Sequence, residues 1–479
     1  MAPAARAPVA LRIVLVRHGL SSFNAERRIQ GRDDLSTLTP EGHDQARRAG
    51  EALRAVAFSA AYASPLRRAS HTAASLLQAH GQGLEAIHDD DLVEIDLSPW
   101  SGVTREELGQ RFPDGERLWR EAPHTLTLQH ADGRHYQPLP ELMQQADRFL
   151  TGLLQRHGAA IDAEPQPSGL QAAAADASVL VVAHNAILRC LVLRLLQLDA
   201  SDFRRLRIDN GSISVLNLSP NLSPSPGGAN PGGPELSADP AVQLESLNGT
   251  AHLGEPLPKK GSGPRLLLVR HGETDWNRQG RFQGQIDIPL NAHGLAQAEA
   301  AGGFLGPISI QRAYSSGLSR PRQTAEAILA SHPGVPLTTC SGLVEIGHGL
   351  WEGQLEPEIQ AGWPELLADW KRAPQTVQMP EGETLQQVWD RSLAAWARIV
   401  ASLGPDETAL VVAHDAVNKT ILCGLLGLKP ADIWAIKQGN GGVTVIDYPH
   451  GAQELPMVAA LNLTPHLGGV LDRTAAGAL

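Results

Sequence analysis

The pentapeptide Leu15-Val16-Arg17-His18-Gly19 recurs as Leu268-Val269-Arg270-His271-Gly272, and each copy is followed by the same further landmarks in the same order. First comes a basic segment, Ser64-Pro65-Leu66-Arg67-Arg68 in one copy and Ser316-Gly317-Leu318-Ser319-Arg320 in the other. Next is a glutamate ahead of a tryptophan (Glu94 and Trp100, Glu345 and Trp351), then Val-Val-Ala-His ending at His184 and His414. Last, a Leu-Asn-x-Thr-x-His-Leu-Gly tail begins at Leu247 and at Leu461. These matches in register make the chain a tandem duplication. The period is far too long for a solenoid repeat, so each copy is a whole domain.

The copies lie 253 residues apart at His18 and His271, 251 at Glu94 and Glu345, 230 at His184 and His414, and 214 at Leu247 and Leu461. The front of each copy therefore keeps its spacing, while the first copy carries extra residues later. Those extras fall in segments of loop composition around 125–137, 162–177 and 219–234, where insertion costs little closure entropy. A Pro, Lys and Gly cluster within 254–264 predicts a linker between a first domain over 1–253 and a second over 265–479.

At 479 residues, with 42% hydrophobic and 19% charged residues, each copy is long enough to bury its own core. The net charge of −11 argues against a general binder of nucleic acid or anionic membrane. No apolar run is long enough to span a bilayer, and a strand from Leu11 leaves no room for a removable signal, so the expected location is cytoplasmic. Cys190, Cys340 and Cys423 have no metal-like spacing and read as buried, reduced thiols.

Leu11 to Val16, Arg265 to Val269, Ser178 to Ala183 and Ala409 to Ala413 are short apolar runs, as expected of central strands buried on both faces. Thr39 and Asn291 read as N-caps of Ala-rich helices reaching about Val56 and Phe304. Short strands at Ala60 to Ala63 and Arg312 to Tyr314 lead into the basic segments, each opening a further helix. Strands alternating with helices predict an α/β fold with a mostly parallel central sheet between two helical layers. Ligands of such sheets bind at the strand C-terminal ends, where both histidines of each copy fall.

Two histidines, two arginines and a glutamate at that edge are unlike a metal site: no pair has the close spacing of metal ligands, and the arginines would repel a cation. They suit an anion. Arginine offers a planar fork matched to phosphate oxygens and stays charged, while a histidine among arginines is pushed toward its neutral, nucleophilic form. One histidine could attack phosphorus, the other could join the arginines on the transferring oxygens, and the glutamate could protonate the leaving oxygen.

The second copy also contains Arg270-His271-Gly272-Glu273-Thr274-x-Trp276-Asn277, Gln283-Gly284, Asp287-x-Pro289-Leu290, Arg320, Glu345-x-x-x-Gly349-x-Trp351-Glu352-Gly353, Pro380-x-Gly382-Glu383-Thr384 and Ala413-His414. This set resembles the histidine phosphatase superfamily, the clan of cofactor-dependent phosphoglycerate mutase. The resemblance implies two tandem three-layer α/β/α phosphoglycerate mutase-like domains. It makes His271 the phosphorylated nucleophile and Glu345 the proton donor, and puts Arg270, Asn277, Gln283, Arg320 and His414 around the phosphate. No metal or organic cofactor is implied.

The first copy matches at Arg17, His18, Asn24, Gln30, Arg68, Glu94 and His184, and departs at Leu20, Phe23, Ser98 and Ser101. The second copy lacks the Asn-Glu-Arg-His-Tyr-Gly stretch and basic insert of mutases, so the resemblance favours a phosphatase over mutase-type phosphoryl transfer. The expected ligand is a small phosphorylated metabolite, of the sugar phosphate kind. The tandem layout resembles cyanobacterial and plastid members acting on α-ribazole 5′-phosphate or carboxyarabinitol 1-phosphate. The alternative class is a regulatory protein that binds phosphorylated ligands and has one inactive domain. Pairing of the two domains within the chain, or a homodimer, stays open.

Overall fold

The computed structural model describes residues 11–157, 177–219 and 241–474. In the first half, strands β1 (Leu11–Arg17), β2 (Ala60–Ala63), β3 (Ile87–His88), β6 (Ala177–Ala183), β7 (Ile213–Ser219) and β8 (Ala241–Gly249) form a sheet in the order β3-β2-β6-β1-β7-β8. A separate hairpin pairs β4 (Leu128–Gln129) with β5 (His135–Tyr136). The second half repeats the order as β11-β10-β12-β9-β13-β14, built from β9 (Arg265–Arg270), β10 (Arg312–Ser315), β11 (Leu337–Thr339), β12 (Thr408–Ala413), β13 (Val443–Asp447) and β14 (Met457–Leu463). Four strands of each half run parallel and the last two antiparallel.

The halves share one sheet of 12 strands, because β8 and β14 pair antiparallel with Leu247 opposite Leu461. Those two leucines begin the tail motif of each copy, so the joint lies on a local pseudo-two-fold axis. The duplication predicts two whole domains and leaves their pairing open; in the structure their sheets join because each half ends on an apolar strand whose open edge would otherwise go unpaired.

Side chains alternate across the sheet, as a strand period of two requires. Val14 and Val16 of β1 join Ala49, Leu53, Leu76 and Val182 under the helices Pro40–Ala52 and Arg67–His80. Leu11, Ile13 and Leu15 face the helices Pro138–His157 and Asn185–Leu195. The core on that second face runs without a break through Leu206, Leu244, Leu247, Ile436, Val458 and Leu461 into the other half.

Thr39 and Asn291 do cap their helices, accepting from the backbone N–H of Gly42 and Gly294. The first helix stops at Ala52 rather than near Val56, since Leu53 already leaves helical geometry. Within 125–137 the chain makes the β4–β5 hairpin, turned by Gly133 at φ 88°, instead of plain loop. The other two extra segments lie largely outside the described residues. Residues 254–264 are held against both halves: Lys259 O accepts from Arg207 Nη1, and Pro258 O accepts from Arg265 Nη1. Cys190 and Cys423 are buried and Cys340 is half-buried, all thiols outside any disulfide. Among the described residues no helix is long and apolar enough to cross a membrane.

Candidate active site

The first motif leaves the C-terminal end of β1 or β9 and turns at once under the following helix. Gly19 and Gly42 touch there so closely that a Cβ on Gly19 would lie 2.2 Å from Gly42 O, and Gly272 with Gly294 repeats the contact at 2.3 Å. Glycine is required at both positions by this approach.

The turn fixes the histidine tautomer. His18 Nδ1 lies 2.8 Å from Gly19 O and His271 Nδ1 lies 2.7 Å from Gly272 O, so Nδ1 carries the proton and Nε2 is left with its lone pair. His184 and His414 close on these rings edge-on, with centroids 5.1 and 5.2 Å away. All four imidazoles are held well below their ordinary value, by burial first and then by the nearby arginines. Neutral imidazole is the form that can attack.

The arginines are anchored through their terminal nitrogens. Arg17 Nη1 donates to Ile208 O at 2.9 Å and Arg270 Nη1 to Gln438 O at 2.6 Å. Arg68 donates to Gly31 O and Asp33 O, and Arg320 to Gly284 O and Ile286 O. In all four, Nε is buried with no hydrogen-bond partner among the described residues. A buried donor without a partner is costly unless an acceptor comes to it, and a phosphoryl group brings acceptors that carry the complementary charge.

The glutamates sit at helix starts. Glu94 accepts from the backbone N–H of Ile95, Ala186 and Ile187, and Glu345 from those of Ile346, Ala416 and Val417, at 2.9–3.3 Å. These helices follow directly on His184 and His414. Glu345 is nevertheless pushed above the usual carboxylate range, first by burial and then by Asp415, which favours a protonated acid.

Asn277 and Gln283 are buried around Thr274, whose hydroxyl donates to Asn277 Oδ1 and Gln283 Oε1, both at 3.1 Å. Asn24 and Gln30 gather around Ser21 in the same way but are half-buried. Every residue expected from the sequence thus falls at the same sheet edge as its equivalents.

The sequence reading missed several neighbours. Asn210 Nδ2 donates to His18 O at 3.0 Å and Asn440 Nδ2 to His271 O at 3.0 Å. Thr72 and Thr324 accept from Gly19 N and Gly272 N, and Ser64 Oγ lies 2.8 Å from His184 Nε2. The Asn-Gly pairs at 210 and 440 keep the 230-residue spacing of the second histidines, so comparing the copies with each other would have found them.

One departure in the first copy, Ser101, is compensated across a contact. In the second copy Glu352 accepts from Gln285 N and Ile286 N, fixing the loop whose carbonyls hold Arg320. In the first, Ser101 replaces that glutamate and Asp33 replaces Ile286, and the Ser101 hydroxyl donates to the Asp33 carboxylate. A second exchange lies under the acid. Glu345 O accepts from Gln285 and Arg391, whereas Glu94 O accepts from Arg32, itself bonded to Gln145, which holds Val93 O.

A duplicated α/β sheet whose strand ends carry two neutral histidines, two anchored arginines and a buried glutamate defines a phosphoryl-transfer protein. The model of the histidine phosphatase superfamily (branch 1) matches residues 13–222 and 266–460, and the chain belongs to that family. It is a phosphatase enzyme. A 2-carboxy-D-arabinitol-1-phosphatase of Triticum aestivum is 30% identical over 96% of this chain and 87% of its own length. Phosphoserine phosphatase 1 of Hydrogenobacter thermophilus is 32% identical over 43% of this chain and 94% of its own. Among solved structures, Bacillus stearothermophilus YhfR is 30% identical, covering 42% of this chain and 98% of its own, with a TM-score of 0.40.

Proposed function

We propose that both halves are phosphomonoesterases that work through a phosphohistidine without a metal ion, on a small phosphorylated metabolite of the sugar phosphate kind. The observation that carries this reading is the imidazole with Nδ1 tied to a carbonyl, which leaves the lone pair on Nε2, set beside two arginines whose Nε atoms have no partner among the described residues. Nε2 of His271 or His18 attacks phosphorus. As the ester bond breaks, the leaving oxygen takes a proton from Glu345 or Glu94. Arg270, Arg320 and His414, or Arg17, Arg68 and His184, hold the charge of the transferring oxygens, with Asn277 and Gln283 or Asn24 and Gln30 beside them. Water then attacks the phosphohistidine, returns its proton to the glutamate, and phosphate departs.

Activity in the first half is supported by the compensated exchanges, which preserve the carbonyls under Arg68 and Glu94 while changing the residues that hold them. The leaving group is read by less similar segments, around 102–136 and 353–379. Carboxyarabinitol 1-phosphate, the substrate in the name of the relative matched along nearly the whole chain, and α-ribazole 5′-phosphate head the compounds to test.

The test is phosphate release from a panel of phosphorylated metabolites in the presence of EDTA, for the wild-type chain, His18→Ala, His271→Ala and the double variant. Each single variant should retain activity with a different substrate ranking, and the double variant none. Activity that returns only with added Mg²⁺ or Zn²⁺ would refute the mechanism. A His271→Ala variant as dead as the double variant on every compound would make the first half a non-catalytic partner.

A further inference from the structure

The tail motif that closes each copy has no part in the chemistry above, yet it reaches the nucleophile. Asn248 and Asn462, its second residues, both adopt the left-handed backbone, at φ 56° and 48°. Asparagine tolerates that region better than most residues, and here it turns each amide out of the ladder beside a strand irregularity. Asn248 Oδ1 accepts from Asp209 N at 2.7 Å, and its Nδ2 donates to Ala459 O of the other half at 2.7 Å. Asn462 does the same in reverse: Oδ1 accepts from Gly439 N at 2.8 Å and Nδ2 donates to Glu245 O at 2.9 Å. The histidine of the motif closes the other side, with His252 Nε2 3.0 Å from Gly211 O and His466 Nε2 3.0 Å from Gly441 O.

The loops clamped in this way, Asp209 to Gly211 and Gly439 to Gly441, are the ones that grip the nucleophiles. Their asparagines donate to His18 O and His271 O, and Gly211 N and Gly441 N donate to the carbonyls of Arg17 and Arg270. The strand of the opposite half supports the approach to each loop as well, through Arg207 N to Val458 O and Lys437 N to Leu244 O.

We propose that Asn248 and Asn462 are positioning residues, each fixing the nucleophile loop of its own half onto the last strand of the other half, so that each site is completed across the joint. The proposal rests on the reading that both sites turn over, and its test keeps the two apart.

The experiment uses the full chain in two single-site parents, His271→Ala to isolate site one and His18→Ala to isolate site two. Asn248→Gly keeps the left-handed backbone and deletes the amide. It should lower kcat of site one about 10- to 100-fold, the scale expected for a nucleophile displaced by about 1 Å, with KM little changed and site two unaffected. Asn462→Gly should do the converse. Glu245→Ala is the crossed arm: this first-half carboxylate accepts from Asp472 N at 2.9 Å and pairs with Lys437 at 3.4 Å, and its loss should lower kcat at site two while sparing site one. Variants that lower both sites in proportion to a fall in melting temperature, or that change neither site, overturn the proposal. A parent without turnover refutes the functional reading of that site alone. There, affinity for orthovanadate replaces kcat, with the same pattern expected.

Discussion

Replacing His348 by leucine, the residue at the matching position 97 of the first copy, should stabilise the protein, and increasingly so as the pH falls. The ring is buried edge-on to Phe282 and Trp370, with centroids at 5.3 and 6.0 Å, and neither nitrogen has a hydrogen-bond partner among the described residues. Burial alone pulls its pKa from 6.5 down to about 3. The folded value is depressed, so the folded ring stays neutral while the unfolded chain takes up a proton below pH 6.5. Stability is therefore full above pH 6.5 and is lost as the pH falls toward 3. A pH of 5 lies 1.5 units below the ordinary value of 6.5 that the unfolded ring keeps, which at 1.36 kcal/mol per unit gives a loss of about 2 kcal/mol. Leucine carries no such proton. At neutral pH it also removes two unsatisfied polar atoms, a gain of about 1–3 kcal/mol. Urea unfolding of wild type and His348→Leu at pH 8 and pH 5 measures both quantities. The gap between the two proteins should widen by about 2 kcal/mol on acidification; a gap that stays constant would show that the ring is solvated or partnered and would refute the argument.

Glu345→Gln in the His18→Ala background should cost about 10²–10⁴-fold on an alkyl phosphate and much less on nitrophenyl phosphate, whose leaving group needs little protonation. Equal losses on the two would count against Glu345 as the acid. Because burial and arginines hold His271 well below 6.5, the pH profile of kcat/KM should show no nucleophile limb near that value; a limb at 6.5 that vanishes only with His271 would contradict the neutral-imidazole argument. Arg32→Gln should weaken site one by withdrawing support from Glu94 O. Adding Gln145→Arg, which writes the second copy's arrangement into the first, should restore it, and a double variant worse than the single would break the proposed equivalence. Asp447→Ala, which strands the buried Arg265 now held at 2.6 and 2.8 Å, should cost about 3–5 kcal/mol in unfolding experiments. A loss under 1 kcal/mol would mean that water reaches this pair.

The central strands were legible because β1, β6, β9 and β12 are buried on both faces and leave runs of Leu, Val and Ile that no amphipathic element would carry. The helix starts were legible through Thr39 and Asn291, whose side chains have one physical task there. The candidate site was legible at His18, Arg68 and Glu94 because polar residues of types seldom buried without a task recur at matching positions of the two copies. Contacts made through the main chain were not. Nothing in the composition of 206–211 marks Ile208 as the residue whose carbonyl holds Arg17, and any side chain would serve there. The hairpin at 125–137 escaped because strands of two residues are too short to establish an alternation. The joint was left open for a different reason: nothing in the tail motifs from Leu247 and Leu461 marks which strand edge each would meet, and only geometry makes β8 and β14 neighbours.

Leu247 facing Leu461 is the contact of a self-complementary patch, the kind that closes with two members and leaves no edge for a third. Two identical chains meeting through such a patch must carry every substitution twice, once on each side of the axis. A single chain is free of that constraint. Glu245 reaches from β8 to Lys437, while its counterpart across the axis is Ala459 and reaches nothing comparable. Covalent fusion holds the halves together at an effective concentration set by a short connection rather than by the amount of protein in solution. It thereby permits one-sided changes at an interface that stays closed. The two candidate sites can diverge while remaining obliged to share one sheet.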